Sequence, residues 1–151
     1  ARLLRSRKNP TLPYNRPCMY STVELVCMGA ELTDVWGTTG DCTVLIEVKT
    51  SHSDFIADKR KYARSKIAED LNHQIGNYRY YLCPEGVISE EELPDNWGLL
   101  VYDGKKIHKV KMATKVESSL PMELMLITSI MSRILKPQTF NFREKVEIKL
   151  K

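Results

Sequence analysis

The sequence predicts an α/β fold with a mixed central β-sheet of about five or six strands flanked by helices. Three observations carry this prediction. Short runs rich in Val, Ile, Leu, Tyr and Thr alternate or stay apolar over strand lengths. These runs come as two groups of three with a helical segment between them. Another long helical pattern follows the second group, at Pro121 to Leu135.

The elements follow in order. Leu3 and Leu4, among Arg2, Arg5, Arg7 and Lys8, read as the tail of a helix. Pro10, Pro13 and Pro17 mark an extended loop. Met19 to Met28 is the first strand, through Val23, Leu25 and Val26, and Gly29 to Thr33 is a turn. Asp34-Val35-Trp36 is a short second strand. The glycine-bounded turn from Gly37 to Asp41 returns the chain into Cys42 to Thr50, a hairpin signature.

Ser51 to Leu71 turns helical, with Ser53 as the cap and Phe55, Ile56, Tyr62, Ala63, Ile67 and Leu71 as its stripe. Asn77 to Cys83 is a tyrosine-rich strand. Ser89 with Glu92 three residues later forms a capping box, and Pro94 limits that helix to about one turn. Trp97 to Tyr102 and Lys106 to Met112 are strands around the tight turn Asp103-Gly104. The last helix starts near Ser118 or Ser119, has Pro121 in its first turn, and stops before Pro137. Its Met122, Met125, Leu126, Ile127, Ile130 and Met131 read as core, or else as a homodimer face. From Phe140 the basic tail alternates weakly, as an edge strand or an arm.

Whole-chain properties narrow the function. The 151 residues suit one domain with a sizeable core. Hydrophobic content of 42% and charged content of 28% exclude a disordered composition. No run is long enough to span a bilayer, and no signal-peptide pattern is present. A net charge of +4 permits a polyanionic partner without requiring one. Cys18, Cys27, Cys42 and Cys83 show no metal-knuckle spacing, so reduced thiols in a cytoplasmic protein are the expectation.

The chemistry concentrates at Val44-Leu45-Ile46-Glu47-Val48-Lys49. Residues two apart in a strand share a face, so Glu47 and Lys49 project together, opposite Val48. Hairpin pairing places Asp34 across from Glu47. Two adjoining carboxylates repel unless a cation lies between them. Mg²⁺ suits them because it prefers oxygen ligands and keeps several waters, and Mn²⁺ can substitute; the Val48 carbonyl is a further candidate ligand. Lys49 could orient a metal-bound water or help to deprotonate it, which is phosphodiester hydrolysis chemistry. The competing reading is a surface ion pair of Glu47 and Lys49 on an edge strand, with Asp34 capping a turn.

Asp34 followed by Glu47-x-Lys49 resembles the PD-(D/E)xK nuclease superfamily, which has a restriction-endonuclease-like core. The string from Ile46 to Arg64, IEVKTSHSDFIADKRKYAR, is similar to a narrower group, phage nuclease-like proteins and MmcB-like DNA-repair proteins. GNYRYYLCPEGVI and ELPDNWGLLVYD are similar to the same group, so the resemblance spans roughly residues 22–104. The proline of the motif is Thr33 here. The resemblance implies a Mg²⁺-dependent deoxyribonuclease in DNA repair or phage DNA metabolism. The alternative is a DNA-binding protein that keeps the fold without cutting, and a third class is a phage interaction protein.

Further candidates surround this core. Glu24, on the strand beside Asp34, is a supporting carboxylate or a solvent-facing residue. Gln74 and Tyr78 have the QxxxY spacing of RecB-like nucleases, or else form a helix end and a packed tyrosine. His52, Lys59, Arg60, Arg64 and Arg79 are candidates for DNA phosphate contacts. Their bland reading is a solvated helix face, diluted by Asp54 and Asp58, and for Arg79 a packed strand residue. Nothing resembles a base-reading module, so sequence specificity is not predicted.

Overall fold

A computed structural model describes residues 1–25, 33–64 and 74–134, with Leu25 and residues 61–64 in backbone only. Six strands form one sheet in sequence order: β1 (Tyr20–Leu25), β2 (Thr33–Thr38), β3 (Thr43–Val48), β4 (Tyr78–Pro84), β5 (Gly98–Tyr102) and β6 (Ile107–Lys111). The first three are an antiparallel meander. β4 runs parallel to β3, and β5 parallel to β4. β6 returns antiparallel to β5. Helix α1 (His52–Arg64) follows β3, and helix α2 (Leu120–Ile134) follows β6. The expected α/β fold with a mixed sheet is therefore present.

Period-two alternation assigns the two faces. On one, Val35, Val44, Ile46, Tyr78, Tyr80 and Leu100 pack with Leu4 and Leu12 from the N-terminal segment. On the other, Trp36, Leu45, Tyr81 and Leu99 meet Phe55 of α1 and Leu126 of α2. Both described helices thus lie on one face of the sheet.

Several expected boundaries shift. The first nine residues are not a helix tail but consecutive turns, with Leu4 N–H donating to the Ala1 carbonyl and Ser6 N–H to that of Leu3. Leu4 anchors them, being fully buried. Gly37 lies inside β2 rather than in the turn. A Cβ there would meet Leu4 Cδ1 at 2.8 Å, so close packing rather than turning explains the glycine. The hairpin closes at Thr39, whose N–H donates to the Cys42 carbonyl. Ser51, not Ser53, caps α1: its Oγ accepts the Asp54 N–H at 3.3 Å.

Other features agree with the sequence. A single 3₁₀ turn spans Glu90–Glu92, with Glu92 accepting the Ser89 N–H at 3.0 Å. Asp103 turns the chain between β5 and β6 by accepting the Lys105 and Lys106 N–H groups. α2 begins one residue after Ser119. Its apolar residues divide, however. Leu126 is buried, while Met125, Ile127 and Met131 are exposed and are not core. Ile127 and Met131 line an apolar groove of about 500 Å³ with Met19, Tyr20 and Trp36. The expected ends of the first strand, of α1 and of the last helix, together with Cys27 and the tail from Phe140, lie outside the described residues.

Candidate active site at the end of β3

β3 is a central strand between β2 and β4. Leu45 points into the helix-covered core, and Glu47 and Lys49 follow at two-residue intervals on the same face. Glu47 is 8% exposed and Lys49 6%, whereas Val48 between them is 37% exposed. A surface ion pair on an edge strand is therefore excluded on both counts.

The Lys49 ammonium sits 3.4 Å from Glu47 Oε2 and 3.2 Å from Asp58 Oδ1. The other Asp58 oxygen accepts the Tyr81 hydroxyl at 2.9 Å. Tyr81 stands beside Glu47 in the parallel register of β3 and β4. It is fixed by stacking on Trp97, 4.3 Å between centroids, and by the edge of Phe55 at 5.1 Å. Burial is the largest influence on Lys49 and pushes its pKa down, but Asp58, Glu47 and Asp54 together outweigh it and raise it. Lys49 thus remains an ammonium, which suits the orienting role rather than that of a base. Burial foremost, then Asp58, raises the Tyr81 pKa, so Tyr81 stays a hydroxyl donor.

Asp34 reaches this cluster from β2. Continuing the register of Val35 with Ile46 by one residue sets it across from Glu47 on the same face. Opposed residues of this kind hold their Cβ atoms about 4.5–5.5 Å apart. Asp34 Oδ2 accepts the Val48 N–H at 2.7 Å. In an extended strand the N–H and C=O of one residue face the same neighbour, so the Val48 carbonyl also faces the β2 side.

Asp34, Glu47 and the Val48 carbonyl would supply only oxygen donors, which would suit Mg²⁺ or Mn²⁺ better than zinc. Among the described residues no group of three or more His, Cys, Asp or Glu side chains is arranged to hold a metal. An ion here would rest on two carboxylates, a carbonyl and solvent, which is ordinary for Mg²⁺.

The supporting candidates separate. Glu24 lies between the paired positions Val23–Val35 and Leu25–Thr33, next to Asp34. It is exposed, and its φ of 50° departs from the extended backbone. Tyr78 belongs to the core on the opposite face, so it does not join Glu47. Gln74 is buried beyond the start of β4, the end of the sheet away from Lys49. There it lines a small cavity of about 40 Å³ with Arg79, Asp95 and Trp97.

Three of the candidate phosphate contacts have partners within the protein. His52 Nε2 is 2.6 Å from Glu92 Oε1, and Lys59 donates to the Glu92 carbonyl at 2.6 Å. Arg79 is 2% exposed, with its guanidinium 4.4 Å from the Trp97 ring centroid, so the packing reading holds. Arg60 is exposed on α1, and Arg64 ends that helix.

Sequence reading missed Asp58 and Tyr81. A signal for Asp58 existed: it falls three residues after the buried Phe55, on the inward stripe of α1. As a charge alone, Asp58 only dilutes a basic helix face. Tyr81 carried no such signal, because a tyrosine-rich strand reads as core on both faces.

Comparison with known proteins adds fold and not function. No protein-family model matches the chain, and no curated protein matches it. A solved structure of a protein of unknown function from Silicibacter pomeroyi is similar, with a TM-score of 0.56 and 22% sequence identity. The match covers 77% of this chain and 74% of that one. At that identity the likeness speaks for a shared fold alone.

Proposed function

We propose that the protein is a Mg²⁺-dependent nuclease that hydrolyses DNA phosphodiester bonds. The observation that carries this reading is the buried Lys49 ammonium, held between Glu47 and Asp58 with Asp34 across from Glu47. A buried ion pair is a poor stabilising device, because desolvation offsets its Coulombic gain, so its retention calls for another reason. Asp34, Glu47 and the Val48 carbonyl would hold the metal. When bound, it would polarise the phosphate and acidify a water. Lys49 would orient the attacking water, whose oxygen would bond to phosphorus as a bridging P–O bond breaks, with the water's proton released to solvent and the leaving oxygen taking one up from solvent.

The place in DNA repair or phage DNA metabolism rests on the sequence resemblance. Free, buried Cys18, Cys42 and Cys83 agree with a reducing cytoplasm. No helix among the described residues is long and apolar enough to cross a membrane. Pairing of two copies would use the exposed Met125, Ile127 and Met131 of α2, and sedimentation velocity reads it.

The test is cleavage of single-stranded, duplex and branched DNA with Mg²⁺ or Mn²⁺, beside Lys49→Ala. The reading predicts cutting by the native protein and loss of at least two orders of magnitude in the variant. Equal activity in both, or none in either, rejects it. The second reading, DNA binding without cleavage, is motivated by the N-terminal segment, which forms turns where a helix was expected. It predicts salt-sensitive binding that needs no metal.

A further inference from the structure

We propose that Asp58 is a positioning residue that aims the Lys49 ammonium at the metal-binding edge, with Tyr81 holding Asp58 in place. The inference rests on the nuclease reading and extends it to residues outside the Asp34, Glu47 and Lys49 set. Lysine is a poor positioning group by itself, because its charge ends a flexible four-carbon stem. Here two fixed carboxylates, on different elements, hold the ammonium at 3.2 and 3.4 Å. Glu47 shares a strand with Lys49 and holds the ammonium from the sheet side, leaving the helix side to another partner. Asp58 closes that side.

The support for Asp58 is rigid. Ser51 caps α1 two residues after Lys49. The fully buried Phe55 then locks the first turns against Tyr81. The Tyr81 hydroxyl donates to one Asp58 oxygen and leaves the other for Lys49. Tyr81 itself is sandwiched between Phe55 and Trp97. Hydrogen-bonded support of this kind orients a reacting group that touches substrate, although the support does not touch it.

The test needs one readout free of metal and DNA. In protein labelled with ¹⁵N-lysine, an ammonium held by two carboxylates gives an Nζ cross-peak protected from solvent exchange. The peak is expected in the native protein and lost in Asp58→Asn and Tyr81→Phe. Its persistence in Asp58→Asn overturns the proposal. In the cleavage assay Asp58→Asn should lower kcat at least tenfold with KM within twofold, and Asp58→Glu should recover part of the loss. An unchanged kcat overturns the catalytic part. Should Asp58→Asn fail to fold, Tyr81→Phe and Asp58→Glu carry both readouts. If the native protein cuts no DNA, the nuclease reading falls, while the Nζ peak still decides whether Asp58 holds Lys49.

Discussion

Asp34 Oδ2 accepts the Val48 N–H at 2.7 Å, just past the last ladder pair of β2 and β3, Val35 with Ile46. A side chain there replaces a backbone partner and keeps the ends of the two strands together. The same carboxylate is a proposed metal ligand, so its two roles can be separated. In Asp34→Ala the Val48 amide should exchange about fivefold faster, equivalent to roughly 1 kcal/mol for a lost hydrogen bond. Asp34→Asn keeps an acceptor oxygen, so it should preserve Val48 protection while losing cleavage. Hydrogen exchange followed by NMR checks the first part, and the nuclease assay the second.

Removing the Lys49 charge should be costly even without substrate. Lys49→Met leaves Glu47, 8% exposed, without the ammonium beside it and facing the repulsion of Asp58. A destabilisation of about 1–3 kcal/mol is expected, below the full value for a deeply buried pair because Asp58 is partly solvated. Urea titration reads it as a lower midpoint with an unchanged slope. Adding Asp58→Asn to Lys49→Met should recover part of the loss.

Glu123 is a buried carboxylate with a structural task. It accepts the Trp36 indole N–H at 2.9 Å, the Thr43 hydroxyl at 2.7 Å and the Gly76 N–H at 2.7 Å. One side chain of α2 therefore ties β2, β3 and the entry to β4 together. Glu123→Ala strands three donors and should cost about 3–5 kcal/mol. The change should appear in chemical denaturation and as a shift in tryptophan emission.

Acid should weaken the link between α1 and the 3₁₀ turn. The hydrogen bond from His52, followed by the Ser89 N–H, lowers the Glu92 pKa from 4.5 to about 2. A pKa lower in the folded state adds stability that is complete above the ordinary value and is lost as pH falls through the folded one. The loss should therefore run from about pH 5 down to about pH 2. Glu92→Gln should flatten that part of a plot of Tm against pH, measured by circular dichroism.

Where local patterns set the outcome, the sequence was readable. Alternation marked β3, and the hairpin spacing set Asp34 across from Glu47. Asp103-Gly104 marked a turn, and Ser119 with Pro121 marked the start of α2. The failures share a cause. Arg2 to Lys8 had a helical look, yet Leu4 is held by packing against the sheet, which no local pattern records. Met125, Ile127 and Met131 fit a helical stripe, but the sheet covers only part of α2. Asp58 was visible only as a charge, although its spacing from Phe55 placed it inward.

By itself, the sequence determined which residues share a face and which antiparallel strands adjoin. Both follow from backbone geometry: a period of two in strands and short loops between antiparallel neighbours. Only the tertiary structure decided that Glu47 and Lys49 are buried, that β3 is central, and that Asp58 and Tyr81 close around the ammonium. Those facts arise where α1 and β4 pack over β3, from contacts between residues 9 to 34 positions apart. Such packing depends on how whole elements share surface, so no window of the sequence contains it.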